Sequence, residues 1–139
     1  MTGDQPQVVS ASGANKQVGI LIVEDEALVA SYIKDVLEES GFTVAGIASS
    51  GREALSLAEQ NRPTLALVDI RLAGPMDGVE VACRLNEHFA VRAIFLSGLV
   101  DRDTEERAKS AQALGFLRKP FLPSQVFNTI ERVLQRTGS

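Results

Sequence analysis

The feature that most constrains this chain is a rhythm. Short continuous apolar runs alternate with amphipathic stretches five times between Val18 and Arg136. The runs are Val18 to Val23, Leu65 to Ile70, Ala93 to Leu96 and Leu114 to Leu117; a less uniformly apolar segment, Phe42 to Ala48, suits an outer strand. A strand wetted on one face would alternate polar and apolar residues, so unbroken runs of this length fit parallel strands covered on both faces. Between them, Val29, Ile33, Val36 and Leu37 keep helical spacing, and Gly41 stands where a helix C-terminal glycine belongs. Ala54, Leu57 and Ala58 form a shorter stripe ended by Pro63, and Gly78 to Phe89 carries Ala82, Leu85 and Phe89 on one side. A last helix, from about Ser124, aligns Val126, Ile130, Val133 and Leu134. The pattern predicts an α/β fold: a doubly wound five-stranded parallel sheet with helices on both faces and right-handed crossovers.

The fourth helical stretch differs. Asp101 to Arg107 is almost wholly charged, and only Ala108, Ala111 and Leu114 offer apolar surface. Alanines bury little area, so this helix is expected to be held less firmly than its neighbours, as a solvated surface helix or as a moving part.

Composition excludes several classes. A net charge of −4 and a pI near 5.0 argue against nucleic-acid binding through bulk charge. No apolar run reaches the roughly 18 residues of a membrane helix. Residues 1–17 have no basic start and no apolar core, so no signal peptide is visible; rich in Gly, Ser, Gln and Asn, they read as a mobile tail. Residues 18–136 read as one domain and 137–139 as a short C-terminal tail. A single cysteine, Cys83, cannot form an internal disulfide, which fits a reducing cytoplasm, and it reads as a small buried packing residue. His88, in Asn86-Glu87-His88, reads as a solvated helix-end residue.

In open parallel sheets, ligands collect outside the carboxyl ends of the strands. Four of the five runs deliver a polar group to that edge: Glu24-Asp25 after the first, Asp69 at the third, Ser97-Gly98 at the fourth and Lys119-Pro120 at the fifth. Each alone has an ordinary explanation, the acidic pair as a helix cap and the others as turn signals. Together they describe a site. Three carboxylates repel unless a positive charge sits among them, and such oxygen donors suit Mg²⁺. Lys119 supplies a second positive charge, Ser97 a hydroxyl donor, and an aspartate can act as a nucleophile that carries a phosphoryl group. The metal and the lysine would then neutralise charge on the group in flight, which is most of what phosphoryl transfer demands.

Val18 to Arg136 resembles the receiver domain of two-component response regulators. The matching text is Ile20-Leu21-Ile22-Val23-Glu24-Asp25-Glu26, Leu67-Val68-Asp69-Ile70-Arg71-Leu72, Asp77-Gly78, Ile94-Phe95-Leu96-Ser97-Gly98 and Phe116-Leu117-Arg118-Lys119-Pro120-Phe121. The resemblance implies a flavodoxin-like sheet of strand order 2-1-3-4-5 and gives each residue a role. Asp69 would be the phosphoacceptor, taking its phosphoryl group from a phosphohistidine on a sensor histidine kinase or a histidine phosphotransfer protein. Glu24, Asp25, Asp69 and the backbone carbonyl of Arg71 would hold Mg²⁺. Lys119 would pair with the phosphoryl group, and the Lys119-Pro120 bond would be cis. Ser97 would swing in to bond a phosphoryl oxygen, and Phe116 stands at the position of the switch aromatic, where an ordinary core aromatic is the rival reading.

Some features depart from the commonest family pattern. The acidic pair opens with Glu24, and the loop Ala73-Gly74-Pro75-Met76 is slightly long. Arg71 and Leu99, two residues beyond Asp69 and Ser97, offer no group suited to positioning a hydrolytic water, so self-dephosphorylation is expected to be slow. If the chain to Ser139 is the entire protein, output is expected through binding at the fourth helix, fifth strand and fifth helix, as a relay shuttle or a stand-alone switch. Three rivals share parts of the pattern. A flavodoxin-type cofactor protein would need a phosphate loop after the first strand, where Glu24-Asp25 repels phosphate. A magnesium-dependent phosphatase with an aspartyl intermediate would need a second acid-base carboxylate and a capping insertion. A phosphate-independent interaction module would not need the intact set of acidic, hydroxyl and lysine groups.

Overall fold

The sequence rhythm becomes a three-layer structure in the computed structural model, which describes residues 18–98 and 101–137. The expected N-terminal tail, Leu99 and residues 138–139 lie outside the described residues. Strands β1 (Gly19–Val23), β2 (Thr43–Ala48), β3 (Leu65–Asp69), β4 (Arg92–Ser97) and β5 (Gly115–Arg118) alternate with helices α1 (Ala27–Glu39), α2 (Gly51–Asn61), α3 (Gly78–Phe89), α4 (Arg102–Ser110) and α5 (Pro123–Thr137). All pairings are parallel, in the order β2-β1-β3-β4-β5.

Side-chain alternation splits the apolar runs between two cores. Ile20, Ile22, Leu65, Leu67, Ile94, Leu96 and Leu117 face Ile33, Leu37, Val126 and Ile130 of α1 and α5. Leu21, Val23, Ala66, Val68, Ala93 and Phe95 face Ala54, Ala58, Val81, Ala82 and Leu85 of α2 and α3. Because both faces are covered, the strands need no polar alternation. Helix starts follow local chemistry: Ser50, Asp77 and Asp101 each accept a backbone N–H three residues on, from Glu53, Glu80 and Thr104. At the other end of α1, Gly41 adopts φ +93°, a left-handed turn that lets Phe42 N–H reach back to the Leu37 carbonyl.

Coverage on both faces fails at the edges. On β5, Leu117 is buried but Phe116 and Arg118 are exposed, because the strand is outermost and α4, the nearest helix on that face, buries only Ala108. Cys83 is half-buried rather than fully buried, as it lies beside the Ala82–Leu85 stripe rather than in it. His88 is exposed near the end of α3, as expected.

Helix α4 is held by little apolar area, as its composition implies. A specific tie compensates: Arg107 donates to both carboxylate oxygens of Asp77, the N-cap of α3, at 2.8 and 3.3 Å. The Arg107 hydrogen bond holds the Asp77 carboxyl below its ordinary range, against the opposing effect of burial. Both side chains are about half exposed (51% and 40%), so the pair contributes at most about 1 kcal/mol. Because the folded-state value is depressed, that contribution is complete above the ordinary carboxylate pKa, about 4, and fades as pH falls through the lowered value. Arg107→Gln is expected to speed amide exchange across α4 several-fold at pH 7, and the difference between variant and parent should shrink below about pH 4 and vanish once pH falls below the lowered Asp77 value. Hydrogen-exchange mass spectrometry checks both; unchanged α4 protection at pH 7 refutes the tie.

Candidate functional site

The carboxyl edge of the sheet gathers the charged residues. Glu24 follows β1, Asp69 ends β3, Ser97 ends β4 and Lys119 follows β5. Glu24 and Asp69 are buried and Asp25 is exposed, yet one carboxylate oxygen from each lies within 4.8 Å of the others. Lys119 Nζ stands 2.9 Å from Glu24 Oε1 and 3.4 Å from Asp69 Oδ2, with Glu26 Oε1 4.0 Å away. Strand order explains the meeting: β1 and β3 are neighbours, so Glu24 and Asp69 come together directly. Lys119 has to reach across the end of β4, which the small residues Ser97 and Gly98 leave open.

Backbone amides complete the arrangement. Asp69 Oδ1 accepts Arg71 N–H at 2.9 Å, Glu24 Oε2 accepts Glu26 N–H at 3.1 Å, and Asp25 Oδ2 accepts Ala73 N–H at 3.1 Å. The acidic pair is therefore not the cap of α1. That position belongs to Glu26, whose side chain makes no capping bond. The loop Ala73-Gly74-Pro75-Met76, which reads as slightly long, is drawn against Asp25 through the Ala73 amide. Gly74 within it adopts φ +118°, a conformation that a side chain would strain.

Burial above all pushes the Glu24 carboxyl above its ordinary range, against the Lys119 and Glu26 hydrogen bonds that favour its charged form. On Lys119, burial works against the charge, but the Glu24 hydrogen bond and the nearby Asp69 and Glu24 charges outweigh it and hold the ammonium above its ordinary range. One ammonium among three carboxyl groups leaves negative charge uncompensated. All the donors are oxygens and one carboxylate is open to solvent, so the cluster fits a hard divalent cation that keeps some of its waters.

The structure brings Glu24, Asp25, Asp69 and Lys119 together and leaves Ser97 and Phe116 aside. Ser97 Oγ donates to the Gly98 carbonyl at 3.2 Å rather than to a carboxylate. Phe116 is 40% exposed, its ring stacked on Phe95 at 6.0 Å, so it is not a core aromatic. The Lys119-Pro120 bond is cis, as the resemblance implies. Sequence reasoning missed the Ala73 amide, since a backbone N–H has no residue signature. It also missed the Arg107–Asp77 pair, whose partners stand 30 positions apart with nothing in the sequence to link them.

A family model for the response regulator receiver domain matches residues 20–131. The transcriptional regulatory protein PdtaR of Mycobacterium tuberculosis is 34% identical over 117 residues, which are 84% of this chain and 57% of that protein. The transcriptional regulatory protein SrrA of Staphylococcus aureus is 34% identical over 120 residues, 86% of this chain and 49% of its own length. The chain thus spans about half the length of the curated relatives it matches. Among solved structures, the signal receiver domain of a modulated diguanylate cyclase from Desulfovibrio desulfuricans superposes with a TM-score of 0.81 at 39% identity, over 85% of this chain and 94% of that one. The chemotaxis protein CheY4 of Vibrio cholerae superposes with a TM-score of 0.75 at 27% identity, over 84% and 98%.

Gly78, the first residue of α3, packs against the strand end that carries Asp69. A Cβ there would run into the Asp69 carbonyl oxygen and come within 2.8 Å of Ile70 Cα. Both are backbone, which cannot swing aside. Gly78→Ala is expected to destabilise the fold by about 3 kcal/mol in urea unfolding. A loss below about 1 kcal/mol would show that α3 shifts away without strain.

Proposed function

The chain belongs to the response regulator receiver domain family, and from that premise we propose that Asp69 is its phosphoacceptor, taking a phosphoryl group from a phosphohistidine donor. The observation that carries the reading is the Asp69 carboxylate itself, buried at the tip of β3 with the Lys119 ammonium 3.4 Å away and two more carboxylates beside it. In the transfer, an Asp69 oxygen forms the new P–O bond while the P–N bond of the donor breaks. The imidazole leaves with the electron pair and takes a proton from water. Lys119 pairs with the incoming phosphoryl oxygens, and Arg71 N–H steadies the carboxylate that attacks. Glu24, Asp25, Asp69 and the Arg71 carbonyl would hold Mg²⁺, which when bound offsets charge on the phosphoryl oxygens.

Ser97 would exchange its Gly98 acceptor for a phosphoryl oxygen, and Phe116 would turn inward as that hydroxyl leaves. The changed face comprises α4, β5 and α5. It includes a polar hollow of about 300 Å³ lined in part by Phe116, Arg118 and Arg132, a surface suited to a target protein. The protein donor would dock elsewhere. An apolar groove of about 550 Å³, lined by Leu28, Val29, Tyr32, Lys119, Pro120 and Phe121, opens beside the reacting lysine, and Leu28 is 87% exposed along it. Arg71 offers no base to activate water, which supports slow loss of the phosphoryl group.

Incubation with acetyl phosphate and Mg²⁺ is expected to add one phosphoryl group by intact mass, and borohydride, which releases the phosphate and reduces the acyl carbon, should leave homoserine at position 69. The adduct should be absent in Asp69→Ala, lost on chelation and stable for minutes or longer. Labelling at another residue, or none with any donor, ends this reading. For the docking groove, Leu28→Asp should slow transfer from a phosphorylated histidine protein at least about tenfold, since a charge buried in an apolar interface costs over 1 kcal/mol. Its rate with acetyl phosphate should stay unchanged. Equal rates from the protein donor remove the groove from the mechanism.

A further inference from the structure

Tyr32 lies on α1, outside the charged cluster, and is 40% exposed. A half-exposed tyrosine ordinarily turns its hydroxyl to water. Here Oη donates to the Phe121 carbonyl at 3.1 Å, and the two rings sit 6.0 Å apart. Phe121 is two residues past Lys119, with its own side chain buried in the α1–α5 core. The segment between them is tied at its start by Lys119 N–H to the Ser97 carbonyl at 2.7 Å. It is tied at its end by Leu122 N–H to Gln125 Oε1 at 2.6 Å. The Tyr32 hydroxyl supplies a polar tie between those two, and it is the one that comes from α1.

The position of that backbone matters because Lys119 is a long side chain whose charge has to meet a small target. Its ammonium now sits between Glu24 at 2.9 Å and Asp69 at 3.4 Å. A shift of about 1 Å at its root moves the charge off the group it neutralises, and displacements of that size are costly to catalysis. We propose that Tyr32 is a positioning residue for phosphoryl transfer: its hydroxyl holds the Phe121 carbonyl and thereby fixes the backbone from which Lys119 meets the phosphoryl group. This inference rests on the role given above to Lys119.

The test is a double-mutant cycle with Tyr32→Phe, which removes only the hydroxyl, and Lys119→Ala. The donor is acetyl phosphate, too small to use the apolar groove, at saturating Mg²⁺. Tyr32→Phe is expected to slow phosphorylation roughly three- to tenfold, the worth of one hydrogen bond, with Mg²⁺ affinity by calorimetry unchanged. In the Lys119→Ala background the same change should add nothing. Where that background is too slow to time, beryllofluoride affinity of the four proteins serves the same cycle. Three results overturn the inference: full-speed phosphorylation of Tyr32→Phe, an equal loss in both backgrounds, or a parallel fall in Mg²⁺ affinity that marks general loosening. If Lys119→Ala alone reacts as fast as the parent, the role of Lys119 falls first and takes this inference with it. A slow Lys119→Ala beside a full-speed Tyr32→Phe sinks this inference alone.

Discussion

Lys119 sits where two buried carboxylates would otherwise face each other, and much of the molecule serves to put it there. Removing a carboxylate from water costs several kcal/mol unless charge and hydrogen bonds replace the lost solvent. Glu24 therefore needs both the ammonium at 2.9 Å and the Glu26 amide at 3.1 Å. The strand order is part of the same requirement. Adjacent β1 and β3 bring Glu24 and Asp69 together, while β5 stands two strands from β3, roughly 10 Å at ordinary spacing. A four-carbon lysine side chain spans that gap over Ser97 and Gly98, and a shorter base would stop over β4. Topology and site chemistry are thus one constraint.

The strand-end residues divide between the two faces of the sheet. Glu24, Asp69 and Lys119 are in phase with Ile22, Leu67 and Leu117, which face α1 and α5. Ser97 is in phase with Phe95, which faces the other core, and Phe116 stacks on that same Phe95. Glu24, Asp69, the lysine and the apolar groove therefore share one side, while Asp25 is in phase with Val23 of the other core. The hydroxyl and the half-exposed aromatic share the other, with α4 beyond them. On the proposed reading, phosphoryl chemistry happens on the α1 side and its consequence is felt on the α4 side, with the Ser97 hydroxyl turning from one to the other.

Much of this was legible in the residues themselves. Parallel strands buried on both faces leave unbroken apolar runs, and strand ends are fixed by where those runs stop, so Glu24, Asp69, Ser97 and Lys119 could be placed at one edge without coordinates. Exposure at the margins could not be read so directly. Phe116 lies in a run as apolar as the others, and only the thin cover of α4 over an outer strand leaves it open. The groove contacts were hidden for another reason: the Tyr32 hydroxyl bonds a carbonyl 89 positions away, and carbonyls carry no residue identity. The Ala73 amide on Asp25 was invisible on the same ground.

On the proposed reading, the weakness of α4 has a use. Its one buried side chain is Ala108, and its specific tie, Arg107 to Asp77, is half exposed and contributes at most about 1 kcal/mol. A new charge-assisted hydrogen bond from a hydroxyl to a phosphoryl oxygen is worth about 1.5–3 kcal/mol. A helix anchored by a broad apolar face, as α5 is through Val126, Ile130 and Val133, would resist an input of that size. The poorly anchored helix would not. The element best able to respond to a single side-chain rotation at Ser97 is thus the one whose sequence gave it least to hold on to, and its tie ends on Asp77, in the segment that begins at Asp69.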